Sequence, residues 1–318
     1  MSDAVSSFAG ATSGVLSAAV VNPLDVARTR MQALAAPFAP SSHAVAPRGP
    51  SVVRVLTNIA RSEGASGLFA GLGASSLAMP LFGATFFPLL EAFKPGAARL
   101  LGVDASSPAC AAVAAAAAGA ATEVVVAPLW VVRTRLQTQR MHAALASASG
   151  RGAAAAPRSY AGVADALASV AREEGLQALW RGLGPSLLCC VHVMVQFPLY
   201  VWLQDEYRRR NGLRADAAVP VGALVASAAS SKVLASAATY PLEVVRTLLQ
   251  DARGAGAGCG ASARPRGAVA LFAELARSRS LYAGFGANLL RAVPSSAVSL
   301  TAYSCIVDAL RREPRAEA

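Results

Sequence analysis

The chain has 318 residues, 54% of them hydrophobic and 15% charged, and a positive mean hydropathy, a balance that fits a membrane chain better than a soluble enzyme. Pro, Ser and single charges interrupt every apolar stretch, so none is a clean lipid-only span of about 20 residues. The net charge of +11 is almost all arginine, Lys94 and Lys232 being the only lysines, and arginines scattered over connecting segments argue against a compact nucleic-acid face.

The apolar segments predict six helices, over residues 5–35, 70–94, 106–138, 181–207, 217–250 and 283–310, each with one face for lipid and one for a watery cavity. Helix one carries the pair Gly10 and Gly14 and then Pro23-Leu24-Asp25-Val26-Ala27-Arg28-Thr29-Arg30. Small residues four apart let helices approach closely in lipid. Glu63-Gly64 next leads to Phe69-Ala70-Gly71, where helix two begins. Helix three repeats the pattern as Pro128-Leu129-Trp130-Val131-Val132-Arg133-Thr134-Arg135, and Glu174-Gly175 leads to Trp180-Arg181-Gly182 at helix four. Helix five carries Ala226 and Ser230 at the same close-packing spacing, then Pro241-Leu242-Glu243-Val244-Val245-Arg246-Thr247-Leu248. Its downstream element is worn: Ala276-Arg277 stand where Glu-Gly would be, before Tyr282-Ala283-Gly284. A period of about 110 residues is a small unit copied in tandem, far longer than a solenoid repeat. The repeats are placed at 5–96, 104–211 and 217–312. A proline inside a helix removes one backbone bond and bends the axis, which swings the following acid and base toward a common centre.

The stretches 35–50, 143–159 and 252–267 are of low complexity, fall at the same place in each repeat and read as loops, with His43 and His142 in or beside them. Cys110, Cys189, Cys190, Cys259 and Cys305 show no Cys-x-x-Cys spacing and no histidine at a ligand interval, so no metal site and no cofactor is expected. No nucleophile, base and orienting group recur together and no phosphate loop is present, so no enzymatic reaction is expected either.

Taken together, the three proline motifs and the aromatic-x-Gly elements resemble the signature of the mitochondrial carrier family over essentially the whole chain. The resemblance implies an all-α membrane protein of six transmembrane helices in three tandem repeats with pseudo-threefold symmetry. Short matrix-side helices would link odd to even helices. It also implies a monomer in contact with membrane lipid such as cardiolipin, placed in the mitochondrial inner membrane or alternatively in the peroxisomal membrane. The start Met1-Ser2-Asp3-Ala4 lacks an Arg-rich presequence, which fits carriers that use internal targeting. Most arginines fall between each motif and the next even helix, which makes the matrix side the basic side.

In that family the motif acids and bases close the matrix side as a ring of salt bridges. Carried over, the ring contains Asp25, Arg28, Arg133, Glu243 and Arg246, with Gln32, Gln137 and Gln250 as braces. Trp130 stands at the second acidic position, so two acids face three bases, at most two bridges form, and one arginine is left beside the indole. The opposite, cytoplasmic gate keeps charges only as Glu91 and Lys94, three apart on one helix, where they equally fit a solvated pair. Helices four and six have Tyr200 to Gln204 and Tyr303 to Val307 at the corresponding places.

The Pro-Leu-Trp at Trp130 resembles the subgroup that carries NAD, FAD, folate, pyrimidine nucleotides and peroxisomal coenzymes. Ser231-Lys232-Val233, the segment from Pro185 through His192 to Tyr200, and Asn288-Leu289-Leu290-Arg291-Ala292-Val293-Pro294 match the same subgroup. Lys232 is nine residues before Pro241, about 13 Å along a helix, and Arg291 lies seven residues beyond Gly284. Both are placed near mid-membrane, where ionisable groups are costly and usually functional. Arg291, Lys232, His192 and Trp130 are thus the candidate contacts for an anionic small molecule. The alternatives are a helix carbonyl for Arg291, a pair with Glu123 for Lys232 and a hydrogen-bonded core role for His192. Trp130 stacks a base, caps a cation or plugs the cavity floor. The leading expectation is a transporter that moves a nucleotide-derived cofactor by alternating access. A folate or peroxisomal coenzyme carrier, or a degenerate carrier with a structural or regulatory role, are the rivals.

Overall fold

A computed structural model describes residues 2–34, 51–104, 107–148, 158–189, 191–212, 220–252 and 267–291. Among them the regular structure is helical, with no strand. The long helices are α1 (Ser2–Leu34), α4 (Leu72–Leu101), α5 (Pro108–Ala148) and α9 (Val221–Asp251). The short ones are α2 (Val52–Glu63), α3 (Ala65–Leu68), α6 (Val163–Glu173) and α10 (Ala268–Arg277). A further pair, α7 (Leu183–Cys189) and α8 (Val191–Arg210), follows one another across Cys190. Residues 285–291 are helical, and the rest of the expected sixth helix lies outside the described residues. Among the described residues two stretches, Ala65–Leu101 and Ala109–Ala148, are long and apolar enough to cross a membrane.

The helices run further than the sequence reading allows. Helix α4 passes Pro95 to reach Leu101, and α5 continues ten residues past the expected end at 138. The start of the Ala-rich stretch read as a loop at 143–159 is therefore helix, because alanine is the strongest helix former available. Pro23, Pro128 and Pro241 lie inside α1, α5 and α9 without ending them.

Each short amphipathic helix packs on the far end of its own proline helix. Val55 and Ile59 of α2 lie on Val26 and Ala27, Val170 of α6 on Val132 and Leu136, and Leu271 and Leu275 of α10 on Val244 and Leu248. Among the described residues, three like clusters, and a fourth of Ala97, Cys110 and Ala114 between α4 and α5, thus replace a single core. Where helices meet, small residues sit at the contact: a Cβ on Gly14 would lie 4.0 Å from Met79, and one on Gly119 the same distance from Phe86.

The aromatic-x-Gly glycines lock neighbouring repeats together. Gly71, Gly182 and Gly284 have φ of 73°, 84° and 79°, which β-carbon residues rarely adopt. A Cβ there would lie 3.0 Å from the Arg133 carbonyl, 3.1 Å from that of Arg246 and 3.2 Å from that of Arg28. The turn before each even helix therefore rests on the backbone of a motif arginine in another repeat.

Candidate functional site: a closed arginine ring on a glutamine brace

Just beyond their prolines, α1, α5 and α9 converge and their charged residues meet. Arg28 of α1 bonds Glu243 of α9. Arg133 of α5 bonds Asp25 of α1 at 2.6 Å. Arg246 of α9 bonds Glu123 of α5, also at 2.6 Å. The third bridge corrects the expectation of two bridges and one unpaired arginine. Trp130 removes the acid from the motif, but Glu123, seven residues earlier, is two turns away on the same helical face. Glu123 is thus engaged by Arg246 and not by Lys232, the pairing given above as the alternative role of Lys232.

Trp130 caps cations at the ring. The guanidinium carbons of Arg133 and Arg246 lie 5.3 and 6.0 Å from its ring centroid, within cation–π range. Arg28 similarly lies 5.8 Å from the ring of Tyr240. Indole and carboxylate thereby share the job of holding the same two arginines.

One turn further along, the three glutamines are tied by threonines. Thr29 donates to Gln137 at 2.7 Å, Thr134 to Gln250 at 2.9 Å and Thr247 to Gln32 at 2.8 Å. Gln32 in turn donates to the Tyr240 hydroxyl at 3.0 Å, which donates to the Ala283 carbonyl at 2.8 Å. The two rings run in opposite senses. The arginines of α1, α5 and α9 reach α9, α1 and α5, whereas the threonines reach α5, α9 and α1. Every pair of proline helices therefore carries one ion pair of the ring and one threonine–glutamine bond of the brace. The sequence reading missed the threonines, although a threonine directly follows each motif arginine.

A second set of arginines ties the motif to the short helices. Arg30 donates to the Gln137 carbonyl at 2.9 Å and to Glu63 at 2.8 Å. Arg135, fully buried, donates to the Gln250 carbonyl at 3.3 Å and to Glu174 at 2.5 and 3.1 Å. In repeat three Leu248 takes the arginine position and Ala276 the acid position, and Leu248 packs on Leu271 and Leu275. Both halves of the pair are replaced together, so no buried charge is stranded. His142, read as incidental beside a loop, instead lies on α5, with Nε2 2.7 Å from a carboxylate oxygen of the buried Asp251. His43 lies outside the described residues.

The ring and brace line an open cavity of about 260 Å³ whose walls include Trp130, the three motif arginines and Arg291. Arg291 corrects its expected mid-height position: Nε lies 3.3 Å from Asp25 Oδ1, and Nη2 donates to Asn288 at 3.3 Å. The long side chain carries the charge down from its backbone to the ring. Lys232 and His192 do not line this cavity. His192 is half-buried, with Nδ1 3.0 Å from the Thr239 hydroxyl, and Lys232 is exposed, within Coulombic reach of Arg291, Glu243 and His192. Glu91 and Lys94 bond each other at 2.6 Å along α4, with Glu91 70% exposed, the geometry of the solvated pair. Tyr303 to Val307 lie outside the described residues.

A family model described as "Mitochondrial carrier protein" matches residues 2–99, 104–211 and 217–314. The chain is 33% identical over 315 residues to "Nicotinamide adenine dinucleotide transporter 2, mitochondrial" of Arabidopsis thaliana, covering 97% of this chain and 80% of the relative. It is 31% identical over 305 residues to "Mitochondrial nicotinamide adenine dinucleotide transporter 1" of Saccharomyces cerevisiae, covering 94% and 75%. It is 30% identical over 317 residues to "Folate transporter 1, chloroplastic" of Arabidopsis thaliana, covering 96% and 95%. With three matched repeats built around one closed ring of proline-helix charges, the chain belongs to the mitochondrial carrier family.

Proposed function

We propose that this carrier exchanges an NAD-type dinucleotide across the mitochondrial inner membrane by alternating access, as a single chain of six spans in three repeats. The observation that carries the reading is the cavity floor, where four arginines, Arg28, Arg133, Arg246 and Arg291, stand against the three carboxylates of Asp25, Glu243 and Glu123 beside the Trp130 indole. An excess of guanidinium suits phosphate, which accepts paired charge-assisted bonds. An indole offers a flat partner to a base once its arginines turn to the phosphates. Two of the relatives above are named as NAD transporters, in keeping with that chemistry.

The arginine ring acts as the matrix gate, and Glu91 with Lys94 contributes little to the cytoplasmic one, which closes by packing. Each bridge gains about 4 kcal/mol of Coulomb energy at 4 Å and an effective dielectric near 20, most of it offset by desolvation. Ligand binding energy is then enough to open the ring. The substituted but packed pair at Leu248 and Ala276 favours a working transporter over a degenerate remnant. A thermal-shift panel on the purified protein tests the cargo. A ligand at 100 times its Kd stabilises the folded state by about 2.7 kcal/mol, so NAD raises Tm by several degrees and malate does not. A shift with malate or folate and none with NAD, FAD, CoA, AMP or UTP refutes the cargo.

A further inference from the structure

We propose that Glu123 is the third acid of the matrix gate, moved two helical turns from the motif position that Trp130 occupies, and that it competes with an anionic cargo for Arg246. The competition clause rests on the phosphate-bearing cargo proposed above; the gate clause does not.

The ring has three arginines, and two are taken by motif acids: Arg28 by Glu243 and Arg133 by Asp25. Arg246 is held by Glu123 at 2.6 Å and lies 6.0 Å from the Trp130 centroid. A seven-residue offset returns to the same helical face within about 20°, so Glu123 and Trp130 flank one guanidinium from one side of α5. The Glu123 side chain is 10% exposed and that of Arg246 25%, so this is not a loosely hydrated surface pair. A chain that lost its motif acid to tryptophan would otherwise leave Arg246 with the indole face and no carboxylate in the ring to bond.

The move changes what the bond does. Asp25 and Glu243 stand one turn from their own motif arginines on the same helices, at the level of the ring. Glu123 is two turns earlier on α5, before Pro128, so the Arg246 tie is drawn away from the brace toward the side where cargo arrives. A phosphate that takes Arg246 must displace the Glu123 carboxylate. Cargo arrival then removes the ring's ion pair between α5 and α9, and the bonds of the brace level, Thr134–Gln250 among them, are left to hold that side.

The test is a double-mutant cycle on the full-length purified protein, read first as Tm without any substrate. Glu123→Gln and Arg246→Gln each lower Tm by about 2–4 °C. The double variant falls no further than either single one, because the two changes remove the same bond. Trp130→Glu in the Glu123→Gln background recovers the loss by returning an acid to the motif position. If Glu123→Gln does not fold, Glu123→Asp gives a smaller loss that Arg246→Gln absorbs in the same way. Additive losses overturn the proposal. In liposomes, Glu123→Gln lowers the half-saturation concentration for NAD about fivefold, which a purely structural carboxylate would not do. An unchanged or raised half-saturation overturns the competition. If the cycle is non-additive but the wild type exchanges malate and no nucleotide, the dinucleotide reading fails and the Glu123 tie stands.

Discussion

The indole N–H of Trp180 donates to the carbonyl oxygen of Val124 at 2.8 Å, and Val124 is the residue whose helical partner Pro128 removes. A proline leaves the carbonyl four residues earlier without its backbone donor. In repeat three the Tyr282 hydroxyl donates to the carbonyl of Ala237 at 3.2 Å, four residues before Pro241. The proline motif and the aromatic-x-Gly element are therefore one device, in which the second mends what the first breaks. In repeat one the aromatic is Phe69, which has no donor to give.

Trp180→Phe keeps the ring and deletes the donor. The expected loss is about 1 kcal/mol, read as a fall in Tm of about 2–4 °C. Tyr282→Phe loses a similar amount, and the two add because they sit in different repeats. No change in either variant would show that lipid-exposed carbonyls at these bends need no partner.

Gly182→Ala tests the contact between repeats. Its φ of 84° is unfavourable for alanine, and the new Cβ would press on the Arg246 carbonyl at 3.1 Å, which is backbone and cannot swing aside. A cost of about 1–3 kcal/mol follows from the conformation alone. Gly184→Ala, two residues on and in open space, is the control and is near neutral. Equal effects at both positions would refute the argument.

Leu248→Arg restores the motif of repeats one and two without restoring its acid. The cost is about 3–5 kcal/mol, that of an uncompensated buried charge. Adding Ala276→Glu recovers much of it, as Glu63 and Glu174 do for Arg30 and Arg135. Failure of the second change to rescue the first would mean that α10 has settled where a glutamate cannot reach. Thermal denaturation of the two variants beside the wild type decides it.

How much could be read in advance depends on whether a contact follows the repeat. Asp25, Arg28, Arg133, Glu243 and Arg246 recur at fixed offsets from a proline, and so did the glutamines that the structure brings beneath them. The threonine ties were equally periodic, but a hydroxyl beside an arginine draws no notice until its partner across the helix gap is known. Glu123 follows no repeat. Its only signal is the seven-residue distance to Trp130, which marks a shared face but not the helix that face meets. Arg291 was placed by its backbone height, and the reach of its side chain put the charge elsewhere. The course of α5 beyond residue 138 was hidden by alanine, which serves a helix and a low-complexity linker equally well.

Counter-exchange in liposomes loaded with unlabelled NAD tests the central claim most directly. Labelled NAD enters such vesicles when the purified carrier is present, and Arg291→Ala cuts the rate about tenfold or more, the size expected for a lost charge-assisted bond. Vigorous exchange of malate or folate, with none of NAD, FAD, CoA, AMP or UTP, would contradict it.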